Sequence, residues 1–534
     1  MTRFDRAVWS VLGITFGLSA LLVWRGDRVG LQMQDLEPAA GARRVSTQAI
    51  VRVAFTEPLE VGGTSLPVQV QRVITGTTGS GPISGPVSAQ VSDPVTGTVR
   101  WEGAVLAFVP SVPLAPDTAY RAHVDASLTG ADGRRLLQPL DWSFTTGRPR
   151  VLYMDRDEQN LDQLYAVGLD GGAPEQMADE SFGVWDYAVS PDGMRILFTT
   201  LRKEGGSDMW LMNADGTGRR KVFECPSAEC SAPAWSPDGT RAAFERRNLS
   251  PAGGPPGLPR LWWLQLATGD SAPLFADSQK LGYDARWSAD GRWLSFVSPD
   301  DSGLQVYNAQ DGQSVLVPSQ TGQSGAWHPK SNILLATNQI NMPGGGLYEH
   351  IVKVDVDETV AMSVTAAITG TTAITATRAM TKTAAPTMIA ESTGTSAFSG
   401  TMTTTTVTNT TTSSVIPATP VDLSGDGAVD DGVPSWSPDG TWIAFTRRIK
   451  EGAGAEQSGQ LWLMRPDGSE AKPLTAEPDT FFGAPSWSPD GRYLLFQRIA
   501  QGRPNAEPGL YLLDLPTGVL KPLVARGARA AWLP

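Results

Sequence analysis

Ser435-Trp436-Ser437-Pro438-Asp439-Gly440-Thr441-Trp442-Ile443-Ala444-Phe445 decides the fold, because its opening phrase keeps returning. It reads Ala234-Trp235-Ser236-Pro237-Asp238-Gly239, then Arg286-Trp287-Ser288-Ala289-Asp290-Gly291, then Ser486-Trp487-Ser488-Pro489-Asp490-Gly491. Weaker copies are Ala188-Val189-Ser190-Pro191-Asp192-Gly193 and Ala326-Trp327-His328-Pro329-Lys330-Ser331, and a truncated one is Ala531-Trp532-Leu533-Pro534. Pro sets φ at the second position of a type I turn, Asp suits the third and Gly the fourth. The phrase therefore joins two antiparallel strands.

A third strand follows each pair, marked by an aromatic among aliphatics: Met209-Trp210-Leu211, Leu261-Trp262-Trp263, Leu461-Trp462-Leu463 and Leu510-Tyr511-Leu512. A second turn such as Asp215-Gly216 or Asp467-Gly468 leads to a short fourth strand. Strand-type units repeated at roughly 40–50 residues are the signature of a β-propeller, with four strands to a blade. Before the first copy stand Val151-Leu152-Tyr153-Met154 and Leu164-Tyr165-Ala166, which lack a first strand; Ala530-Ala531-Trp532 is a first strand without the rest. Joined, they make a composite blade that leaves no free edge. The expected count is seven blades, with six or eight left open by the degenerate fourth unit.

This pattern, over residues 148–534, resembles the WD40-like, TolB-type β-propeller repeat (PD40). The resemblance implies the fold. It does not imply one activity, because the family holds periplasmic scaffold proteins as well as the propeller domains of some peptidases.

Residues 47–147 form a different unit. Val51-Arg52-Val53-Ala54-Phe55 alternates as a strand does, and Val105–Pro110, Leu114-Ala115-Pro116-Asp117 and Trp142-Ser143-Phe144-Thr145-Thr146 follow. These segments resemble a bacterial Ig-like domain of the S-layer-associated (SbsA) kind, a β-sandwich that would act as a spacer. Upstream, Ala7 to Trp24 is apolar and uncharged, long enough to span a bilayer. It reads as a single transmembrane anchor after a short tail at 1–6, with a linker at 25–46; the alternative is a cleaved signal peptide, although no small-x-small cleavage site follows. Arg3 and Arg6 before it are balanced by Arg25 and Arg28 after it, so the charges hardly orient it. Residues 358–420 are dominated by Thr and almost free of charge, and read as a disordered insertion. The whole is an all-β chain: one membrane helix, a sandwich and a propeller.

The formal net charge is −12, which argues against nucleic acid. Cys225 and Cys230 lie between the last strand of one blade and the first of the next, and would form a local disulfide in an oxidising compartment. The three histidines, His123, His328 and His350, share no metal-ligand spacing. Asp422, Ser424, Asp426 and Asp430 resemble the start of a calcium loop, but Val433 stands where the bidentate acid belongs. Gly322-Gln323-Ser324-Gly325-Ala326 lacks the last Gly of a nucleophile elbow. No catalytic set, metal or cofactor is expected.

Second strands tend to end in arginine: Arg156, Arg202, Arg247, Arg448 and Arg498. They fall on the face opposite the Ser-Pro-Asp-Gly turns, where the long loops Leu249–Pro259, Lys450–Gly459 and Ala500–Gly509 also emerge. An arginine rim there would bind an acidic partner, unless neighbouring Asp and Glu neutralise it. The resulting expectation is a membrane-anchored, extracytoplasmic scaffold that binds an envelope protein or polymer. The alternatives are an envelope hydrolase or lyase acting on glycans or peptides, and a small-ligand sensor.

Overall fold

The computed structural model describes residues 30–60, 67–74, 90–250, 254–277, 279–301, 303–342, 345–369, 415–425, 427–450, 458–501 and 507–533. The apolar run 7–24, the middle of the Thr-rich segment and Asp426 lie outside them. Among the described residues no helix is long and apolar enough to cross a membrane.

The N-terminal unit is two four-stranded sheets. One runs Met33–Glu37, Val51–Phe55, Val105–Pro110, Gly97–Glu102; the other runs Gln90–Pro94, Val68–Ile74, Ala119–Val124, Leu140–Thr145. Val51, Val53 and Phe55 point inward and meet Leu106, Phe108, Trp142 and Phe144 in one core. The period of two along the strand puts every second residue on that face. Met33–Glu37 falls in the expected linker, yet it pairs with Val51–Phe55. The unit therefore starts earlier than residue 47, because an unpaired Val51–Phe55 edge would leave a row of open backbone groups.

From Arg150 onward the described residues form seven sheets of four main strands. Six take their strands from one stretch of chain each; the seventh joins Glu175–Ala178, Asp162–Gly168 and Arg150–Arg156 to Ala528–Leu533 from the other end. Trp532 pairs with Val151 and Leu533 with Arg150. Large apolar residues fill the space between neighbouring sheets, as with Phe445, Ile443 and Trp436 against Leu335 and Ile351.

The turn phrase works as its residues dictate. Ser437 Oγ donates to Asp439 Oδ1 at 2.5 Å, Asp439 Oδ1 accepts the Thr441 N–H at 3.0 Å, and Ser437 Oγ accepts the Trp442 N–H at 2.9 Å. Gly440 sits at φ +79°, where a side chain would be strained. In the copy with His328, its Nδ1 takes the serine's place, accepting the Lys330 N–H at 3.2 Å. The ring stands edge-on to Trp436, centroids 4.7 Å apart.

The Thr-rich segment is ordered at both ends, contrary to the expectation for 358–420. Val356–Thr369 is an α-helix, started by Asp355, whose Oδ1 accepts the Glu358 N–H at 3.0 Å. Val415–Pro417 returns as a fifth strand, parallel to Ser314–Pro318. Val360 and Ile416 pack on a buried cluster with Val315, Val317 and Val354. Apolar positions at the two ends of the segment thus find a neighbouring sheet, which composition averaged over the whole segment conceals.

Candidate functional site

The first strands of the sheets turn their phrases toward one another around an axis. Four of them carry a bulge just before the tryptophan, with a non-glycine residue at positive φ: Ala232 at 48°, Asp284 at 51°, Val433 at 45° and Arg529 at 50°. Register shifts mark the same places. The extra residue bends the strand and turns its N–H toward a neighbouring carboxylate. Asp186 accepts the Ala232 N–H at 3.0 Å, and Glu245 accepts the Asp284 N–H at 2.9 Å. Burial pushes the Glu245 carboxyl up, against the charge of Arg247.

The tryptophans link sheet to sheet. Each indole Nε1 donates to a carbonyl of the preceding first strand: Trp235 to Ala188 at 3.2 Å, Trp287 to Ala234 at 3.1 Å and Trp327 to Arg286 at 3.1 Å. Trp436 donates to Ala326 at 3.1 Å, Trp487 to Ser435 at 3.0 Å and Trp532 to Ser486 at 3.2 Å. The copy with Val189 has no indole; there Tyr187 OH donates to Leu152 O at 2.8 Å and also lies against Arg529 O. These bonds run from sheet to sheet and return to the first.

They frame an axial channel of about 830 Å³. Ala188, Ala234, Pro233, Pro434, Pro485 and the edges of Trp235, Trp287 and Trp327 line it. Its charged lining residues are Asp284 and Arg286, ion-paired at 3.0 Å, with Arg286 Nε also 3.3 Å from Ser324 Oγ. The lining includes no residue of the N-terminal unit.

That unit sits off the channel, on the turn face. Arg52 Nη1 meets Asp192 Oδ2 at 2.6 Å and Glu37 at 3.1 Å, and Arg195 reaches Glu37 at 3.6 Å. Asp192 is 2% exposed. Burial works to raise its carboxyl, but the charges of Arg52 and Arg195 and the Ser190 hydroxyl outweigh it and hold the group below the usual range. Further out, Arg44 and Arg150 share Glu175, at 3.4 and 2.9 Å. A cleft of about 1020 Å³ lies in this seam.

The five arginines expected to form a basic rim each face a carboxylate. Arg156 is 3.9 Å from Asp162, Arg202 3.5 Å from Asp208, Arg247 3.3 Å from Glu245, and Arg448 2.5 Å from Asp430. Arg498 Nε donates to Glu477 at 3.0 Å. The neutralised alternative, not the basic rim, is the arrangement present. Cys225 and Cys230 are disulfide-bonded and buried, closing the short connection from Arg220–Cys225 of one sheet to Ala228–Trp235 of the next.

In the calcium-like stretch, Asp422 Oδ2 lies 2.8 Å from His350 Nδ1, and Asp430 takes Arg448 and Lys450. His123 is 3.1 Å from Asp141, far along the chain in the N-terminal unit. Among the described residues no three or more His, Cys, Asp or Glu gather to hold a metal ion. Nothing in the sequence reading points to the channel lining. The signal available was the Pro-x-Trp of Pro233, Pro434 and Pro485, a proline where an inner-edge strand needs no N–H.

Sheets, turns and axis together define a β-propeller preceded by an Ig-like sandwich. Residues 27–146 match the family model described as bacterial Ig-like domain. A stretch of 237 residues is 26% identical to the "Uncharacterized peptidase YuxL" of Bacillus subtilis (strain 168), covering 43% of this chain and 31% of that protein. Another, of 156 residues, is 26% identical to the "Protein TolB homolog" of Chlorobium luteolum, covering 22% of this chain and 34% of that protein. The chain thus spans about a third of the length of these curated relatives. Among solved structures it is similar to TolB from Acinetobacter baumannii, at 14% identity, a TM-score of 0.37 and 82% coverage of each chain. It is also similar to the β-propeller domain of the Trilobed protease from Pyrococcus furiosus, at 11% identity, a TM-score of 0.41 and coverage of 71% and 95%.

Proposed function

We propose that this chain is a non-enzymatic scaffold of the cell envelope, whose propeller takes a segment of a partner protein into its axial channel. The observation that carries this reading is the channel itself: about 830 Å³, walled by Ala, Pro and Trp, with one ion pair at Asp284 and Arg286. Such a wall offers shape and apolar contact to an extended chain. Among the described residues its lining holds no histidine, cysteine or lysine to activate the Ser324 hydroxyl beside that ion pair. The off-axis seat of the Ig-like unit supports the same reading, because it leaves the channel free while fixing the propeller's pose. The seven sheets are then the blades of one closed ring, and the run 7–24 is the anchor that holds the ring outside the cytoplasm. The likeness of part of the chain to a TolB homolog supports an envelope role, with an envelope protein as partner.

The test is native cross-linking and co-purification with the full chain. Ala484 lines the channel and is exposed, so Ala484→Trp plugs the channel at little cost to the fold. Arg286→Glu reverses the charge at its wall. Both variants should lose a reproducible partner, while Arg448→Gln, on the neutralised rim, should keep it. Capture that survives both channel variants would overturn the reading.

A further inference from the structure

We infer that loop 131–139, at the end of the Ig-like sandwich far from the propeller, rests on the surface of the bilayer that holds the chain, a pose that builds on the reading of the run 7–24 as an anchor. Three strands fix which end this is. Met33–Glu37 starts beside the loop, where the Leu31 N–H donates to Arg135 O at 2.9 Å, and ends at Glu37, which meets Arg52 and Arg195 at the propeller seam. Leu140–Thr145 leaves the loop and delivers the chain to the first propeller strand at Arg150. Val51–Phe55 returns between the same two ends. Its Arg52 is at the seam, and beyond Phe55 the carbonyl of Pro58 accepts the Ala131 N–H at 2.9 Å.

The short connection to the anchor sets the distance. Five residues, 25–29, separate the apolar run from Gly30. Fully extended, the stretch from Trp24 to Gly30 reaches about 20 Å, and tryptophan at the end of such a run settles at the membrane–water interface. Gly30 thus stands within about 20 Å of the hydrocarbon. Leu137 lies directly against it, since a Cβ added at Gly30 would stand 2.4 Å from Leu137 Cγ. Among the described large apolar side chains none is more exposed than Leu137, at 67%, and Met33 and Pro139 are exposed at the same end. A leucine so placed gains by entering the boundary between headgroups and acyl chains. A connection this short holds it near the surface at high local concentration, so a single side chain is enough.

The contact is apolar and not ionic. Arg134 is held by Glu57 at 2.9 Å and Asp132 at 3.0 Å. Arg134 and Arg135 stand against four carboxylates, Glu57, Glu60, Asp125 and Asp132. With Arg25, Asp27 and Arg28 of the connection included, carboxylates still outnumber cations, five to four. These charges give an anionic lipid no advantage. Because the sandwich seats against Asp192 of a Ser-Pro-Asp-Gly turn, the pose directs the propeller's turn face toward the membrane and its long loops away from it.

The test is fluorescence quenching with the full chain in phosphatidylcholine vesicles that contain a lipid with a nitroxide on its headgroup. The native cysteines are tied to each other and buried, so a newly introduced thiol is the one labelled. A label on Gln138→Cys, beside Leu137, should be quenched, and one on Gln501→Cys, exposed in a long loop of the propeller, should not. Adding Leu137→Ser should lower the quenching of the Gln138→Cys label about twofold or more while the chain stays with the vesicles. Replacing part of the phosphatidylcholine by phosphatidylglycerol should not raise it. In chains that remain with the vesicles, equal quenching of both labels, no quenching of the Gln138→Cys label, no response to Leu137→Ser, or a rise with phosphatidylglycerol would overturn the inference and leave the anchor standing. A chain that washes off the vesicles would overturn the anchor, and the pose with it.

Discussion

Trp532 Nε1 donates to the Ser486 carbonyl at 3.2 Å, and so ties the last strand to the sheet before it. On the other side, Tyr187 OH lies against Arg529 O, and Arg529 Nη1 meets Asp186 at 2.5 Å. The strand Ala528–Leu533 is therefore held by both neighbouring sheets as well as by its own. Trp532 is 9% exposed, so truncation leaves a cavity as well as an unmet carbonyl. Trp532→Ala should cost about 3–5 kcal/mol, and Trp532→Phe, which keeps most of the volume and loses the hydrogen bond, about 1 kcal/mol. Urea unfolding followed by fluorescence would read both. Equal midpoints for Trp532→Ala and the unaltered chain would refute the role of this strand in closure.

Arg52 and Asp192 couple the sandwich to the propeller. Replacing Asp192 by Asn strands a mostly buried guanidinium, for which losses of about 3–5 kcal/mol are typical. Glu37 remains as a second partner, so the loss should fall near the lower end. The carboxyl of Asp192 is held below its ordinary value, so its contribution is present above the ordinary aspartate range of about 3.9. It is lost as pH falls through the folded-state value. Small-angle scattering should show the two units separating in Asp192→Asn at neutral pH, and in the unaltered chain only in stronger acid. An unchanged scattering profile for Asp192→Asn would remove the pair from the account of docking.

The Cys225–Cys230 bond closes a loop with a sequence separation of 5. Loop-closure entropy for so short a ring corresponds to about 2 kcal/mol. Both cysteines are buried against Leu197, Met209 and Phe244, so Cys225→Ala with Cys230→Ala should retain the packing and lose only the tie. Denaturation with and without reductant should differ by that amount in the unaltered chain and not at all in the double variant. Equal midpoints for the unaltered chain with and without reductant would remove the tie from the account of stability.

The sheets were legible because Ser-Pro-Asp-Gly is local chemistry: Ser437, Asp439 and Gly440 complete their turn within six residues of one another. The sandwich was legible for a similar reason, the alternation of Val51, Val53 and Phe55. The channel was not, since its walls come from residues more than forty positions apart, such as Ala188, Ala234 and Ala326. An alanine carries no mark of facing an axis. The arginines misled for the opposite reason. Arg448 is conspicuous in sequence, but Asp430, which neutralises it, lies 18 positions away on the paired strand.

His350 offers a pH readout of the segment that follows the Thr-rich stretch. It is fully buried on Leu347–Asp355, and its Nδ1 lies 2.8 Å from Asp422 on the short returning strand Val421–Asp422. The hydrogen bond to Asp422 raises the imidazole's pKa against the effect of burial, with further help from the charges of Asp422 and Asp431. A group whose folded-state value is raised contributes fully below its unfolded value, about 6.5 for histidine, and loses that contribution as pH rises through the folded value. The unaltered chain should therefore lose stability from about pH 6.5 upward, by at most about 1.4 kcal/mol per unit from this one proton. His350→Gln keeps a polar group there and removes the titration. Its urea midpoint should be lower at pH 6 and flatter between pH 6 and 8. Because Asp422→Asn removes the partner and leaves the imidazole, it should shift the same transition to lower pH rather than abolish it. Identical pH profiles for the unaltered chain and His350→Gln would show that the pair does not hold the returning strand.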